Sequence, residues 1–127
     1  MSKGKVLVVD DEELIRTVAQ KMLHFLDYET CTAKNGAEAV TLYREHFEKQ
    51  NPFDLVILDW KVPNGKNGFE IMQSILQIKA DAKGLLSSGV SSQSLGFDLK
   101  EKGFVGTIDK PYDLKTLKAT LERVLIS

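Results

Sequence analysis

Short unbroken apolar runs alternate along this chain with segments whose apolar residues recur every three or four positions. Val6-Leu7-Val8-Val9 and Leu55-Val56-Ile57-Leu58 are too short for helices and are bounded by polar or turn residues. They predict strands buried on both faces, as in a parallel sheet between two helical layers. Glu29 to Ala33 alternates and is more polar, which predicts an edge strand. Lys83 to Ser87 and Phe104 to Ile108 predict the fourth and fifth strands. Helical stripes lie between them: Ile15, Val18, Met22, Phe25 and Leu26; then Ala37, Val40, Tyr43 and Phe47; then Met72, Ile75 and Leu76. Leu114, Leu117, Leu121, Val124 and Leu125 form the last stripe. Asn35 and Asp113 are the expected N-caps of the second and final helices. Another helix is expected near Ser92 to Lys102, although Gly96 between Leu95 and Leu99 costs it about 1 kcal/mol relative to Ala.

Five strand–helix units in alternation predict right-handed crossovers and a doubly wound α/β fold. The common order for a five-stranded parallel sheet of this kind is 2-1-3-4-5, with helices on both faces, as in flavodoxin-like proteins. Ligands then bind beyond the carboxyl ends of the strands, where strand order reverses between strands one and three. Composition narrows the reading. A chain of 127 residues is the size of one domain, and 43% hydrophobic with 28% charged residues excludes a disordered or coiled-coil chain. Seventeen Lys and Arg against eighteen Asp and Glu leave no basic field, so nucleic-acid binding is not expected. Cys31 is the sole cysteine, which excludes an internal disulfide and a multi-cysteine zinc site. No apolar run has the length of a membrane span, and residues Met1 to Lys5 lack the apolar stretch of a signal peptide. A cytoplasmic location and no membrane partner are expected.

The chemistry sits at the strand ends. Asp10 and Asp11 follow the first strand, Asp59 follows the third, Ser87 and Ser88 end the fourth, and Lys110 follows the fifth. All should converge at one end of the sheet. Three clustered carboxylates repel at neutral pH, and a single lysine does not balance them. A hard divalent ion with oxygen ligands does, and Mg2+ suits a site with few carboxylates.

Four pieces then carry a resemblance: Val8-Val9-Asp10-Asp11-Glu12, Leu58-Asp59 with Pro63 and Gly68 after it, Leu86-Ser87-Ser88-Gly89, and Asp109-Lys110-Pro111-Tyr112. In this order, spread over the whole chain, they resemble the receiver domain of two-component response regulators. The resemblance implies that Asp59 is the phosphoacceptor, taking its phosphoryl group from the phosphohistidine of a histidine kinase or phosphotransfer protein. It implies Mg2+ held by Asp11, Asp59 and the backbone carbonyl of Lys61, with Asp10 acting through water. Lys110 would pair with a phosphoryl oxygen, Ser87 would donate its hydroxyl to the phosphoryl group, and Pro111 would be a cis proline aiming Lys110. Output would pass through the face made by the fourth helix, the fifth strand and the last helix.

Three departures from the family pattern stand out. Gly68 lies nine positions after Asp59 where eight is usual, so the loop holding Val62, Pro63 and Asn64 to Asn67 is expected to be rebuilt and mobile. Lys61 sits two residues after Asp59, and its ammonium could reach the site. Thr107 occupies the position, three before Lys110, where the family often has Tyr or Phe. The expected unit is one receiver domain over residues 1–127 without an effector domain, either a stand-alone regulator or the receiver of a hybrid sensor kinase. It is not expected to be an enzyme beyond catalysing its own phosphorylation and dephosphorylation. A non-phosphorylated interaction module of the same fold is the alternative. A phosphohydrolase similar to the haloacid-dehalogenase family is disfavoured, because Lys61 replaces the second aspartate of that motif and a cap domain does not fit. His24 and His46 read as surface residues, and Trp60, beside Asp59, as a partly exposed neighbour of the site.

Overall fold

A computed structural model describes residues 3–60, 68–88, 100–101, 103–110 and 112–126. Five strands are present: β1 (Lys5–Val9), β2 (Glu29–Ala33), β3 (Leu55–Asp59), β4 (Gly84–Ser88) and β5 (Phe104–Asp109). Four helices are described: α1 (Glu13–Phe25), α2 (Gly36–Glu48), α3 (Gly68–Ile78) and α4 (Leu114–Ile126). The helix expected from Ser92 to Lys102 lies outside the described residues, apart from Lys100 and Glu101. The sheet is parallel in order β2-β1-β3-β4-β5, as the alternation of the sequence predicts.

Alternate residues of each buried strand point to opposite faces, and each face carries its own core. Leu7, Val9, Val56 and Leu58 pack with Tyr43 of α2 and with Ile71, Met72 and Ile75 of α3. Val6, Val8, Leu55 and Ile57 pack with Ala19 and Leu23 of α1 and with Leu117, Leu121 and Val124 of α4. Burying both faces is why β1 and β3 are continuous apolar runs. Burying each such aliphatic side chain stabilises the fold by about 1.5–3 kcal/mol.

Two helical stripes are corrected. In α1 Ala19 and Leu23 are the fully buried residues, Ile15, Met22 and, just past the helix, Leu26 pack with them as expected, and Phe25 is instead 74% exposed. In α2 Ala39 and Tyr43 are buried and Val40 packs against the same core, with Ala37 and Phe47 facing solvent. Each residue turns a helix by about 100°, so an assignment one or two positions out puts a side chain outside the packed sector. Both expected caps form. Asn35 Oδ1 accepts the Glu38 amide at 2.9 Å, and Asp113 Oδ1 accepts the Thr116 amide at 3.1 Å. His46 is not a free surface residue: its Nδ1 meets Lys5 Nζ, and its ring lies 4.7 Å from that of Phe53. His24 is exposed, as expected.

One irregularity positions the site. Pairing between β4 and β5 steps from Gly84–Phe104 to Leu85–Gly106, passing over Val105. This bulge sets Ser87 opposite Ile108 and Ser88 opposite Asp109, so Lys110 emerges just past the sheet's carboxyl edge.

Candidate functional site

The side chains at that edge are brought together by the strands themselves. Asp10 extends β1, its amide donating to Ala33 O at 3.1 Å. Its side chain is fully buried. Oδ1 accepts the Glu12 amide at 2.9 Å, which bends the chain into α1, and Arg16 donates to the Asp10 carbonyl at 2.7 Å. Oδ2 is left for Lys110, whose Nζ stands 2.6 Å away. Asp10 therefore serves the turn with one oxygen and the site with the other. The same Lys110 Nζ is 3.2 Å from Asp59 Oδ1, at the end of β3. Burial alone would lower the Lys110 pKa, but the hydrogen bond to Asp10 and the charge of Asp59 outweigh it and hold the ammonium above the ordinary lysine value.

Gly68 explains its place in the motif. Its amide donates to Trp60 O at 3.1 Å, and a Cβ there would stand 2.8 Å from the Asp59 carbonyl oxygen. Only a residue without a side chain lets α3 start this close to the end of β3. Trp60 is half-buried, as expected, with its ring edge-on to Phe69 at 4.7 Å.

Ser87 lies opposite Asp59 in the β3–β4 register and is fully buried. Its Oγ is 2.6 Å from the hydroxyl of Tyr112. Burial pushes the Tyr112 phenol up to about 12, against the opposing pull of the Ser87 hydrogen bond and of Lys110. Asp11 and Glu12 are exposed. Carboxylate oxygens of Asp10, Asp11 and Glu12 lie within 4.8 Å of one another, an all-oxygen donor set of the kind that suits a hard divalent cation.

Asp10, Asp59 and Lys110 thus form one cluster, with Ser87 on the strand beside Asp59 and Asp11 next in chain to Asp10. Lys61, Pro111 and the loop carrying Pro63 lie outside the described residues. Glu12 and Tyr112 stand in the motif pieces quoted from the sequence, but sequence reasoning gave neither a role. Glu12 had a signal, since it directly continues the acidic pair. Tyr112 had only its place two residues after Lys110.

Comparison with known proteins is consistent with this arrangement. Residues 6–122 match the family described as response regulator receiver domain. The chain is 34% identical over all its 127 residues to the DNA-binding transcriptional regulator NtrC of Azospirillum brasilense, of which it spans 25%. It is 30% identical over 95% of its length to the chemotaxis protein CheY of Bacillus subtilis, of which it spans 97%. Among solved structures, a chain of the CheX-CheY-BeF3-Mg+2 complex from Borrelia burgdorferi superposes with a TM-score of 0.87 at 25% identity, covering 99% of this chain and 92% of that one.

Proposed function

The chain belongs to the response regulator receiver domain family and is a phosphoacceptor signalling switch; on that premise we propose that Asp59 is the residue phosphorylated. The observation that carries this reading is one ammonium shared by two strand-end carboxylates, Lys110 at 2.6 Å from Asp10 and 3.2 Å from Asp59. An Asp59 carboxylate oxygen attacks the phosphorus of a phosphohistidine. The O–P bond forms as the P–N bond breaks, and the imidazole nitrogen keeps the electron pair. Lys110 turns from Asp59 to an oxygen of the incoming group, and Ser87 donates its hydroxyl to another.

Receiver domains bind Mg2+ through an acidic cluster, and Asp10, Asp11 and Glu12 fit that requirement as hard oxygen donors. Asp11, Asp59 and the carbonyl of Lys61 would hold the ion, with Asp10 reaching it through water and Glu12 at hand beside them. Bound there, Mg2+ would neutralise charge on the transferring phosphoryl oxygens.

The donor is a histidine kinase or phosphotransfer protein. Output passes through the face of β5, α4 and the segment before them. Catalysis is confined to the domain's own phosphorylation and dephosphorylation. The unit is one receiver domain over residues 1–127. It spans nearly all of the CheY relative and a quarter of the NtrC relative, so it serves either alone or within a longer chain such as a hybrid sensor kinase. Among the described residues no helix is long and apolar enough to cross a membrane. The near-neutral charge gives nucleic acid no electrostatic hold. We place the domain in the cytoplasm.

The test is incubation with acetyl phosphate and Mg2+ followed by intact mass. One phosphoryl adduct is expected on the wild type and none on Asp59→Asn. A wild type that stays unmodified and releases no phosphate would support the non-phosphorylated interaction module instead.

A further inference from the structure

We propose that Tyr112 is a positioning residue for the phosphoryl group on Asp59, acting through the Ser87 hydroxyl. The inference rests on the reading of Asp59 as the phosphoacceptor. Ser87 and Tyr112 are 25 residues apart in sequence, yet their oxygens are 2.6 Å apart in a pocket where Ser87 is fully buried and Tyr112 is 8% exposed. This single hydrogen bond uses one of the two hydroxyl protons and leaves the other for a different partner.

The direction of this bond decides what Ser87 can do. A phenol is the more acidic hydroxyl of the two and the better donor, while an alcohol oxygen is the better acceptor. Tyr112 therefore donates to Ser87 Oγ. That leaves the Ser87 proton free to turn toward Asp59, which lies opposite it across the β3–β4 pair. The reverse polarity would aim the Ser87 proton away from Asp59. Burial keeps the phenol protonated, so the donor persists at neutral pH.

The position of Tyr112 also bears on the departure at Thr107. An aromatic residue does contact Ser87, but it stands two positions beyond Lys110 rather than in β5 itself. Its ring is anchored in the apolar layer with Val8, Ile108 and Leu117, so the hydroxyl is held on a rigid base. A hydroxyl fixed in this way orients Ser87 before a phosphoryl group arrives, and the arriving group need not pay for that ordering.

Tyr112→Phe removes one oxygen and keeps the ring in its layer. The experiment measures the rate of phosphorylation by acetyl phosphate with saturating Mg2+, by intact mass, for wild type, Tyr112→Phe, Ser87→Ala and the double variant, with melting temperatures for each. Tyr112→Phe should slow phosphorylation about three- to tenfold, the effect of one lost hydrogen bond. In the Ser87→Ala background the same substitution should have no further effect on the rate. A merely structural hydroxyl would shift the melting temperature and leave the rate of folded protein unchanged, which overturns the proposal. Equal slowing in both backgrounds also overturns it, since Tyr112 would then act without Ser87. If the wild type is phosphorylated and Tyr112→Phe matches it, this inference alone fails. If the wild type takes up no phosphoryl group, the reading of Asp59 fails with it.

Discussion

Two lysines, one buried and one half-buried, hold opposite ends of the same sheet, and their partners differ. Lys5 opens β1 at the amino edge and is 7% exposed. Its Nζ meets His46 Nδ1, donates to Asn51 O at 3.2 Å, and stands 5.0 Å from the centre of the Phe53 ring. All three partners are neutral when His46 is unprotonated. Lys110, at the carboxyl edge, is held instead by the carboxylates of Asp10 and Asp59, with Asp11 and Glu12 beside them. Neutral dipoles suffice to fix a cation in place, and they supply no carboxylate for a metal ion or for an incoming phosphoryl group. Carboxylates in excess of the cation leave negative charge that attracts a metal ion, and they leave one partner of Lys110 free to be exchanged. The amino edge is built as a closed packing cluster, and the carboxyl edge as an exchangeable one.

The largest effect that separates the two ends is on phosphorylation. Lys110→Ala should reduce the rate with acetyl phosphate at least about a hundredfold, the scale of losing one preorganised charge at a transition state. Lys5→Met should leave that rate within twofold and lower stability by about 1–3 kcal/mol, read as a melting temperature several degrees lower. A slow Lys5→Met protein of normal stability would erase the distinction.

A smaller difference concerns metal. Mg2+ binding only to the folded cluster should raise the melting temperature, by about 2.7 kcal/mol of stability at a hundred times its dissociation constant. The half-buried Trp60, one residue from Asp59, should report the same saturable event in its fluorescence. Asp11→Ala should abolish both responses, and Lys5→Met should keep both. A Mg2+ response that survives Asp11→Ala would move the ion away from this edge.

The smallest effect is in pH dependence. Burial, with Lys5 and Lys49 nearby, lowers the His46 pKa below its ordinary value, while Glu45 and Glu29 oppose the shift. The unfolded chain therefore binds this proton more readily. Stability from His46 is fully present above the unfolded value of about 6.5 and falls as pH drops through the lower folded value. At the other edge the Lys110 pKa is raised. Its contribution is fully present below the unfolded value of about 10.4 and is lost as pH rises through the higher folded one. Denaturant melts across pH should show the acid-side loss shrinking in His46→Gln and the alkaline-side loss shrinking in Lys110→Ala. An acid limb unchanged in His46→Gln would show that the Lys5 cluster tolerates a protonated ring.

Much of this was legible in the chain itself. An unbroken run such as Leu55 to Leu58 specifies a doubly buried strand wherever it is packed, because every side chain in it must leave water. Asp10 and Asp59 at the ends of two such runs, and Ser87 at the end of the shorter apolar pair Leu85-Leu86, place themselves at one edge once the strands are parallel. The caps at Asn35 and Asp113 reach only three residues ahead, so local sequence carries them as well. The inward faces of α1 and α2 were misjudged at Phe25, Ala37 and Phe47, because each of those helices offers apolar residues on more than one side and packing selects between them. The pairings of Lys5 with His46, of Lys110 with Asp10 and Asp59, and of Ser87 with Tyr112 were settled by tertiary structure alone. Each joins residues at least 25 positions apart, and which atoms meet depends on strand register, on the bulge at Val105 and on the helical face turned inward. A residue's chemistry is local, but its partner is set by how the layers stack.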